Sequence, residues 1–489
     1  MSNLITKTVQ VFPMRQGAIF QAGDEINFYL PPSLGLLNPD SYLRFNLKMK
    51  GKLKKAPAMS AGAASIISSV VVMSGDGRTI YETLDNYAVK AGLYYHYSEN
   101  EGSKSLRVLH EGKTLRNVIE GDELKTASSA SNQYIDANAT TVLGWAKNVE
   151  VCLPLWCSGV LSPMRQKVFP LIATGGLRLR ITLNSVKDAT EVLYAPIYAG
   201  THNQVPTKNS YGRTGGGYAN ARVSGSCTGG VLATDRPIEL VAAGNTGADT
   251  GRLGGAGLTE VAHPYVIGQT ITIDNAIGDR EITAINIDGD GKVALTVSGL
   301  GIANGQYMWS IKTDDTSNPN EGYEVSNLSF VAGVVVPDAD YISQVQQGIA
   351  KGKLIIDIHT YQNYPVNLTA NSKQNALYIK SINSRAKSIL SVPLVNSTSE
   401  GYTDDNFKPD IQNLDSVQYY LYGTLTPNRK TSYKEFQMLD NAGALDEASG
   451  SFSGQGIREM EHAFSAAGYP VNNLLNAWEY PFIGRRLSP

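Results

Sequence analysis

The residues that could carry out chemistry in this chain are few and scattered. Its histidines show neither HExxH spacing nor clustering with cysteine, the two arrangements that hold zinc. They are His96, His110, His202, His263, His359 and His462. No GxSxG segment is present, and residues 348–353 lack the spacing and the Ser/Thr of a phosphate-binding loop. We therefore predict no catalytic residues, no metal site, no cofactor and no enzymatic activity.

One short segment resembles half of a calcium-binding loop. Residues 286–291 read Asn-Ile-Asp-Gly-Asp-Gly, and carboxylates at alternate positions can converge on one hard cation. The glutamate that closes such a loop is missing, because its position falls on Val297. Asp and Gly also supply tight-turn geometry. We interpret the segment as a hairpin turn, with adventitious cation binding as the alternative.

Composition and charge narrow the class of protein. The 489 residues suggest two or three domains, and 42% hydrophobic with 18% charged residues predicts a folded chain. A net charge of −2 gives no general attraction to nucleic acid or to an anionic membrane. The three cysteines are too few for a disulfide framework, and we find no signal peptide and no apolar run long enough to span a membrane.

A local basic run is the exception to this charge balance. Residues 48–55 hold Lys48, Lys50, Lys52, Lys54 and Lys55 at the end of an alternating run. Such a run could contact phosphates of a genome or an acidic inner lipid layer. A solvated strand end, protected by lysines from edge pairing, is the more ordinary interpretation.

The elements that must position these residues are mostly strands. Short alternating or β-branched runs separated by Gly, Pro, Asn and Asp predict an all-β architecture. In residues 177–183 the leucines and isoleucine should face a core while Arg178 and Arg180 face away. Asp338 or Asp340 could cap a short helix that ends near residue 350. Residues 196–322 differ in composition, Gly-rich and then strand-like, which indicates an insertion with structure of its own.

The order of these segments resembles the double jelly-roll major capsid proteins, of the type found in polinton-like viruses and virophages. The resemblance rests on short apolar segments that occur in a fixed order. They are Leu-Pro-Leu-Trp at 153–156, Phe-Pro-Leu-Ile at 169–172 leading into 177–183, the run 329–338 after the insertion, and the segments 386–393 and 421–429.

This resemblance implies two jelly-roll β-sandwiches side by side, with a long β-rich insertion as a tower and a few short helices. The expected divisions are an N-terminal arm at 1–21, a first jelly roll at 22–195 and 323–360, the inserted tower at 196–322, a second jelly roll at 361–458 and a C-terminal tail at 459–489. The two terminal segments should tie neighbouring capsomers together through apolar anchors, which are Phe12, Phe20, Trp478 and Phe482.

The implied function is that of a major capsid protein that assembles as homotrimeric, pseudo-hexagonal capsomers into an icosahedral shell. Its partners would be neighbouring capsomers, penton and minor capsid proteins, and an internal membrane or genome through segment 48–55, with an unknown host receptor. Its place would be the virion, assembled inside the host cell. The alternatives are another β-rich virion component, such as a vertex or spike protein, and a carbohydrate-binding or carbohydrate-active β-sandwich.

Overall fold

We describe the protein from a computed structural model. The described residues are 5–15, 17–50, 55–58, 61–98, 149–163, 168–192, 223–234, 270–273, 277–287, 293–299, 302–311, 322–369, 374–379, 385–394, 407, 414, 416–421, 424–432, 454–472 and 482–487.

These residues form mainly strands, which confirms the all-β prediction. In chain order the strands are β1 (Ile5–Val11), β2 (Glu25–Leu30), β3 (Leu36–Leu37), β4 (Tyr42–Lys50), β5 (Lys55–Pro57), β6 (Ile67–Ser74), β7 (Ile80–Asp85), β8 (Val149–Pro154), β9 (Phe169–Pro170), β10 (Leu177–Leu183), β11 (Thr190–Val192), β12 (Val223–Thr228), β13 (Val231–Thr234), β14 (Thr270–Ile273), β15 (Gly278–Ile287), β16 (Val293–Val297), β17 (Gly305–Ile311), β18 (Gly322–Val336), β19 (Ser388–Ser391), β20 (Ser416–Leu421), β21 (Thr424–Ser432) and β22 (Ile483–Arg486). The α-helices are α1 (Tyr87–Tyr97), α2 (Val186–Ala189), α3 (Ala339–Ala350) and α4 (Gly454–Ala466).

Two antiparallel sheets pack face to face as a sandwich. One has the order β8-β4-β18-β3-β9 with β1 added to β18, and the other has the order β2-β10-β6-β7. Phe28 of β2 and Phe330 of β18 meet across the sandwich with ring centroids 6.4 Å apart, and both are fully buried. Strand β18 follows the insertion, so the sheet is completed only when the chain returns from it.

The alternation that the sequence shows in β10 is present in the sandwich. Leu177, Leu179, Ile181 and Leu183 are buried in its core. Arg178, on the opposite face, donates from Nε to the carbonyl of Gly75 at 2.8 Å. The prediction for this strand is confirmed, because period-two patterning fixes which face each side chain occupies.

The capped helix after β18 also forms as the sequence indicates. Helix α3 begins after Asp338, whose side chain accepts from the backbone N–H of Tyr341 at 2.8 Å. This bond satisfies one of the free donors of the first turn. Val345 is the buried residue of this helix, so most of its surface faces solvent.

The N-terminal segment differs from the expected free arm. Strand β1 pairs with β18 over its whole length, from Ile5 opposite Val336 to Val11 opposite Phe330. Phe20 is buried and bridges to Val325, and only Phe12 among the expected anchors of this segment is exposed. The sequence pattern missed the strand because Lys7 interrupts its apolar face of Ile5, Val9 and Val11, so the alternation is incomplete.

The inserted region contains a closed six-stranded barrel. Its strand order is β12-β13-β16-β15-β14-β17, and β12 pairs again with β17 to close it. Trp309 fills the interior together with Leu232, Ile271 and Leu295. Since the first and last strands are neighbours, the chain enters and leaves the barrel side by side.

A glycine makes this packing possible, and its replacement should open the barrel. A Cβ on Gly225 would lie 2.1 Å from the carbonyl oxygen of Ala233 and 2.5 Å from Cη2 of Trp309. We expect Gly225→Ala to destabilise the barrel by about 1–3 kcal/mol because the crowded ring and strand must move. The matched control is Gly305→Ala, because a Cβ there would lie an ordinary 3.7 Å from Cε2 of Tyr307. Equal denaturation curves for the two variants would contradict this packing.

The region after α3 contains two apolar runs, at 353–359 and 376–382, that the sequence predicts as strands. Both are irregular chain where described, and the described pairings in this region are β19 with β22 and β20 with β21. Apolar content alone suggested strands there, although a strand also needs a neighbour that supplies hydrogen bonds.

The C-terminal segment, expected as an external tail, packs inside the subunit. Met460 and Phe464 of α4 and Phe482 beside β22 form a buried cluster with Leu93 and Tyr97 of α1. The ring centroids of Tyr97 and Phe482 are 5.1 Å apart, in edge-to-face geometry. Phe482 is therefore a core residue rather than an external anchor, while Trp478 lies outside the described residues.

Candidate functional site

The six histidines do not come together into one site. His359 is exposed, with Nε2 3.4 Å from Nζ of Lys387, whereas His96 lies on α1 and His462 on α4. His110, His202 and His263 lie outside the described residues. Within the described ranges no group of three His, Cys, Asp or Glu side chains is placed to hold a metal ion.

The calcium-like segment lies between two paired strands. Ile287, the last residue of β15, pairs with Val293, the first residue of β16. The pairing fits the hairpin interpretation. Residues 288–291, which carry its carboxylates, lie outside the described residues.

The basic run at 48–55 is partly neutralised within the subunit. Lys50 of β4 lies opposite Gly322 on β18, and its Nζ is 2.7 Å from a carboxylate oxygen of Glu324. Lys52 and Lys54 lie outside the described residues. The charge that this run could offer to a partner is therefore smaller than its five lysines suggest.

Buried polar groups lie at the edge of the sandwich, beneath residues 356–361. Glu82 of β7 is buried and accepts hydrogen bonds from the Ser158 hydroxyl and from the Gly159 N–H, the latter at 2.7 Å. Burial raises the pKa of Glu82, and these donors oppose part of that shift. The backbone of His359 packs directly against Gly159. A Cβ at position 159 would lie 2.2 Å from the His359 carbonyl oxygen, so a larger residue would not fit here.

Next to Cys157, a lysine is enclosed by aromatic rings. Nζ of Lys90 on α1 lies 4.6 Å from the ring centroid of Tyr469 and 5.7 Å from those of Tyr361 and Phe464. We call these four residues the Lys90 cage. Burial lowers the pKa of Lys90 to about 8, and the neighbouring Cys157 opposes the shift. Burial raises the pKa of the Cys157 thiol to about 12.

The sequence reading did not single out the Lys90 cage. Its four residues come from three places distant in sequence, so spacing could not reveal it. The available signal was a lysine inside the apolar and aromatic run of residues 87–97. A lysine on the buried face of a helix needs a partner, because burying its charge unpaired is unfavourable.

One exposed part of the chain is rich in apolar side chains. Ile355 is 81% exposed and Tyr378 is 90% exposed, and several neighbours in the chain are also exposed. We call this set the apolar belt: Ile349, Leu354, Ile355, Val366, Leu368, Leu377 and Tyr378. Exposed apolar side chains are typical of protein contact surfaces where they form contiguous patches. In the described part of the chain, no helix is long and apolar enough to cross a membrane.

Comparison with known proteins gives structural neighbours only. No family model and no curated protein matches the chain. Among solved structures, it aligns with VP54 of PBCV-1 fitted into a reconstruction of the virophage Sputnik, and with a quasi-atomic model of the PBCV-1 virus capsid. Each of these alignments has 12% identity and a TM-score of 0.24, covering 68% of this chain and 85% of the other.

The major capsid protein of mavirus aligns at 10% identity with a TM-score of 0.20, over 74% of this chain and 93% of that protein. These neighbours include a virus capsid and a major capsid protein, the class that the sequence resembles.

Proposed function

We propose that this chain is a viral major capsid protein, which assembles as homotrimeric, pseudo-hexagonal capsomers into an icosahedral shell. The observation that carries the proposal is the apolar belt, because it is a surface that a second subunit can cover. The double jelly-roll resemblance gives the identity of that second subunit, since proteins of this class associate with copies of themselves. In this view the chain acts through assembly and not through catalysis.

The position of the apolar belt suits contact between copies. It begins at Ile349 in the last turn of α3, and its other members lie in the irregular chain that follows, so residues 349–369 and 374–378 offer many exposed apolar side chains. A stable interface buries about 800 Å² on each partner and has an apolar centre with aromatic residues. In a trimer each subunit would present the belt to a different surface of its neighbour, and the three contacts would close a ring.

The remaining partners follow from the same proposal. The sandwich would form the shell, and the barrel of residues 223–311 would decorate the outside as a tower. Penton proteins, minor capsid proteins and neighbouring capsomers would contact the flanks. A genome or an internal membrane would meet segment 48–55, with the charge of Lys50 already held by Glu324. The shell would assemble inside the host cell and function in the virion.

Electron microscopy of the purified full chain tests this proposal. We expect particles of pseudo-hexagonal outline from the unmodified chain, and single small particles from the double variant Ile355→Asp with Tyr378→Asp, because buried aspartates would be left unpaired. The control is Gln346→Asp, at an exposed polar position of α3 that precedes the belt. Pseudo-hexagonal particles that persist in the double variant would exclude the apolar belt as the contact surface.

A further inference from the structure

The Lys90 cage joins parts of the chain that are distant in sequence. Lys90 belongs to α1, Tyr361 to the extended segment after α3, and Phe464 and Tyr469 to α4 and the turn that follows it. The C-terminal segment is also hydrogen-bonded to the end of α1. The Ser98 hydroxyl donates to the carbonyl of Pro470 at 2.8 Å, and the Asn472 N–H donates to the carbonyl of Tyr97 at 2.8 Å.

We propose that the Lys90 cage is a pH-dependent latch, which fastens residues 356–361 and α4 onto the sandwich more firmly when the lysine is neutral. Three rings around an ammonium group stabilise the charge by cation–π attraction. They do not replace the hydration that the ammonium loses on burial. Among the described residues Lys90 has no salt-bridge partner. The closed state is therefore less stable when Lys90 is charged than when it is neutral.

Other ionisable groups face the cage and decide its working range. Cys157 lies on the sandwich side, and Glu82 and Asp85 of β7 lie next to Tyr361. Tyr87 and Tyr94 on α1 complete the surroundings with Tyr361 and Tyr469. Burial raises the pKa values of Cys157, Tyr87, Tyr361 and Tyr469, so all four stay protonated up to at least pH 9 in the closed state. Lys90 is then the cage group that titrates between pH 7 and pH 9.

The direction of the effect follows from the two pKa values of the lysine. Its pKa is about 8 in the closed latch, against 10.5 for an ordinary lysine. Between these values the open state binds more protons than the closed state, so closure becomes more favourable as pH rises. From pH 7 to pH 9 the closing equilibrium should increase by about tenfold, since one pKa unit is a factor of ten.

Hydrogen exchange of α4 in the full chain measures the closing equilibrium of the latch directly. We expect the protection factors of residues 456–466, corrected for the intrinsic pH dependence of exchange, to rise about tenfold from pH 7 to pH 9 in the unmodified chain. Lys90→Met and Lys90→Arg should both lose this rise. The first is always neutral and stays closed at pH 7, whereas the second is always charged and stays loose at pH 9.

Tyr469→Phe is the control. It keeps the ring nearest to Lys90, so the protection factors should still rise from pH 7 to pH 9. If one lysine variant does not fold, the other still tests the latch. A flat profile in the unmodified chain, or a tenfold rise that persists in a lysine variant, would overturn the proposal.

Discussion

Replacing Phe464 by alanine should lower the free energy of unfolding by about 3–5 kcal/mol, the usual cost of truncating a buried phenylalanine. Phe464 of α4 is fully buried, in ring contact with Tyr97, Tyr469 and Phe482. The cavity would open between α1, α4 and the C-terminal strand β22. Denaturant titration of the purified variant gives the value.

The matched control is Phe12→Ala in the N-terminal segment. Phe12 is 54% exposed, so its loss should change the free energy of unfolding by less than about 0.5 kcal/mol. If the C-terminal segment were an external arm, the two variants would have equal stability. That result would contradict the packing of α4 described above.

Raising the pH above 10 should unfold the protein steeply. Burial raises the pKa values of Tyr87, Tyr361 and Tyr469 well above the ordinary value of 10, and raises that of Tyr419 to about 12. The unfolded chain loses these phenolic protons first, so it binds fewer protons than the folded chain above pH 10. Stability present below pH 10 is therefore lost as pH rises toward the folded pKa values, by up to about 1.4 kcal/mol per pH unit for each group.

A pair of conservative variants isolates the buried phenols. Tyr361→Phe should shift the alkaline unfolding midpoint to higher pH without loss of stability at pH 7, because the Tyr361 hydroxyl is buried without a hydrogen-bond partner among the described residues. Tyr378→Phe, at a 90% exposed position, should leave the midpoint unchanged. Circular dichroism between pH 8 and pH 12 reports both. Equal midpoints for the two variants would show that the Tyr361 phenol does not contribute.

The sequence predicted local structure best where burial imposes a strict period. The alternation of residues 177–183 and the cap at Asp338 depend on neighbours within a few residues, and both are present in the structure. The sequence also predicted the strand-like runs of the insertion, but it did not predict their closure into a barrel. Closure depends on β12 meeting β17 more than 70 residues later in the chain, which no local pattern encodes.

The features that sequence reasoning missed depend on contacts between distant segments. Strand β1 is held mainly by the backbone ladder to β18, and its side-chain pattern is weak because only Val9 and Val11 of its residues are partly buried. The Lys90 cage depends on Tyr361 and Tyr469, which are about 270 and 380 residues away in the chain. The reading of the C-terminal segment as a tail failed for the same reason, because its buried partner is α1.

The native mass of the unmodified full chain tests the proposed function most directly. Size-exclusion chromatography with light scattering should give about 158 kDa, three times the 52.6 kDa of one chain, and the value should hold on dilution through the micromolar range. A mass of one chain at every concentration would contradict assembly into trimeric capsomers.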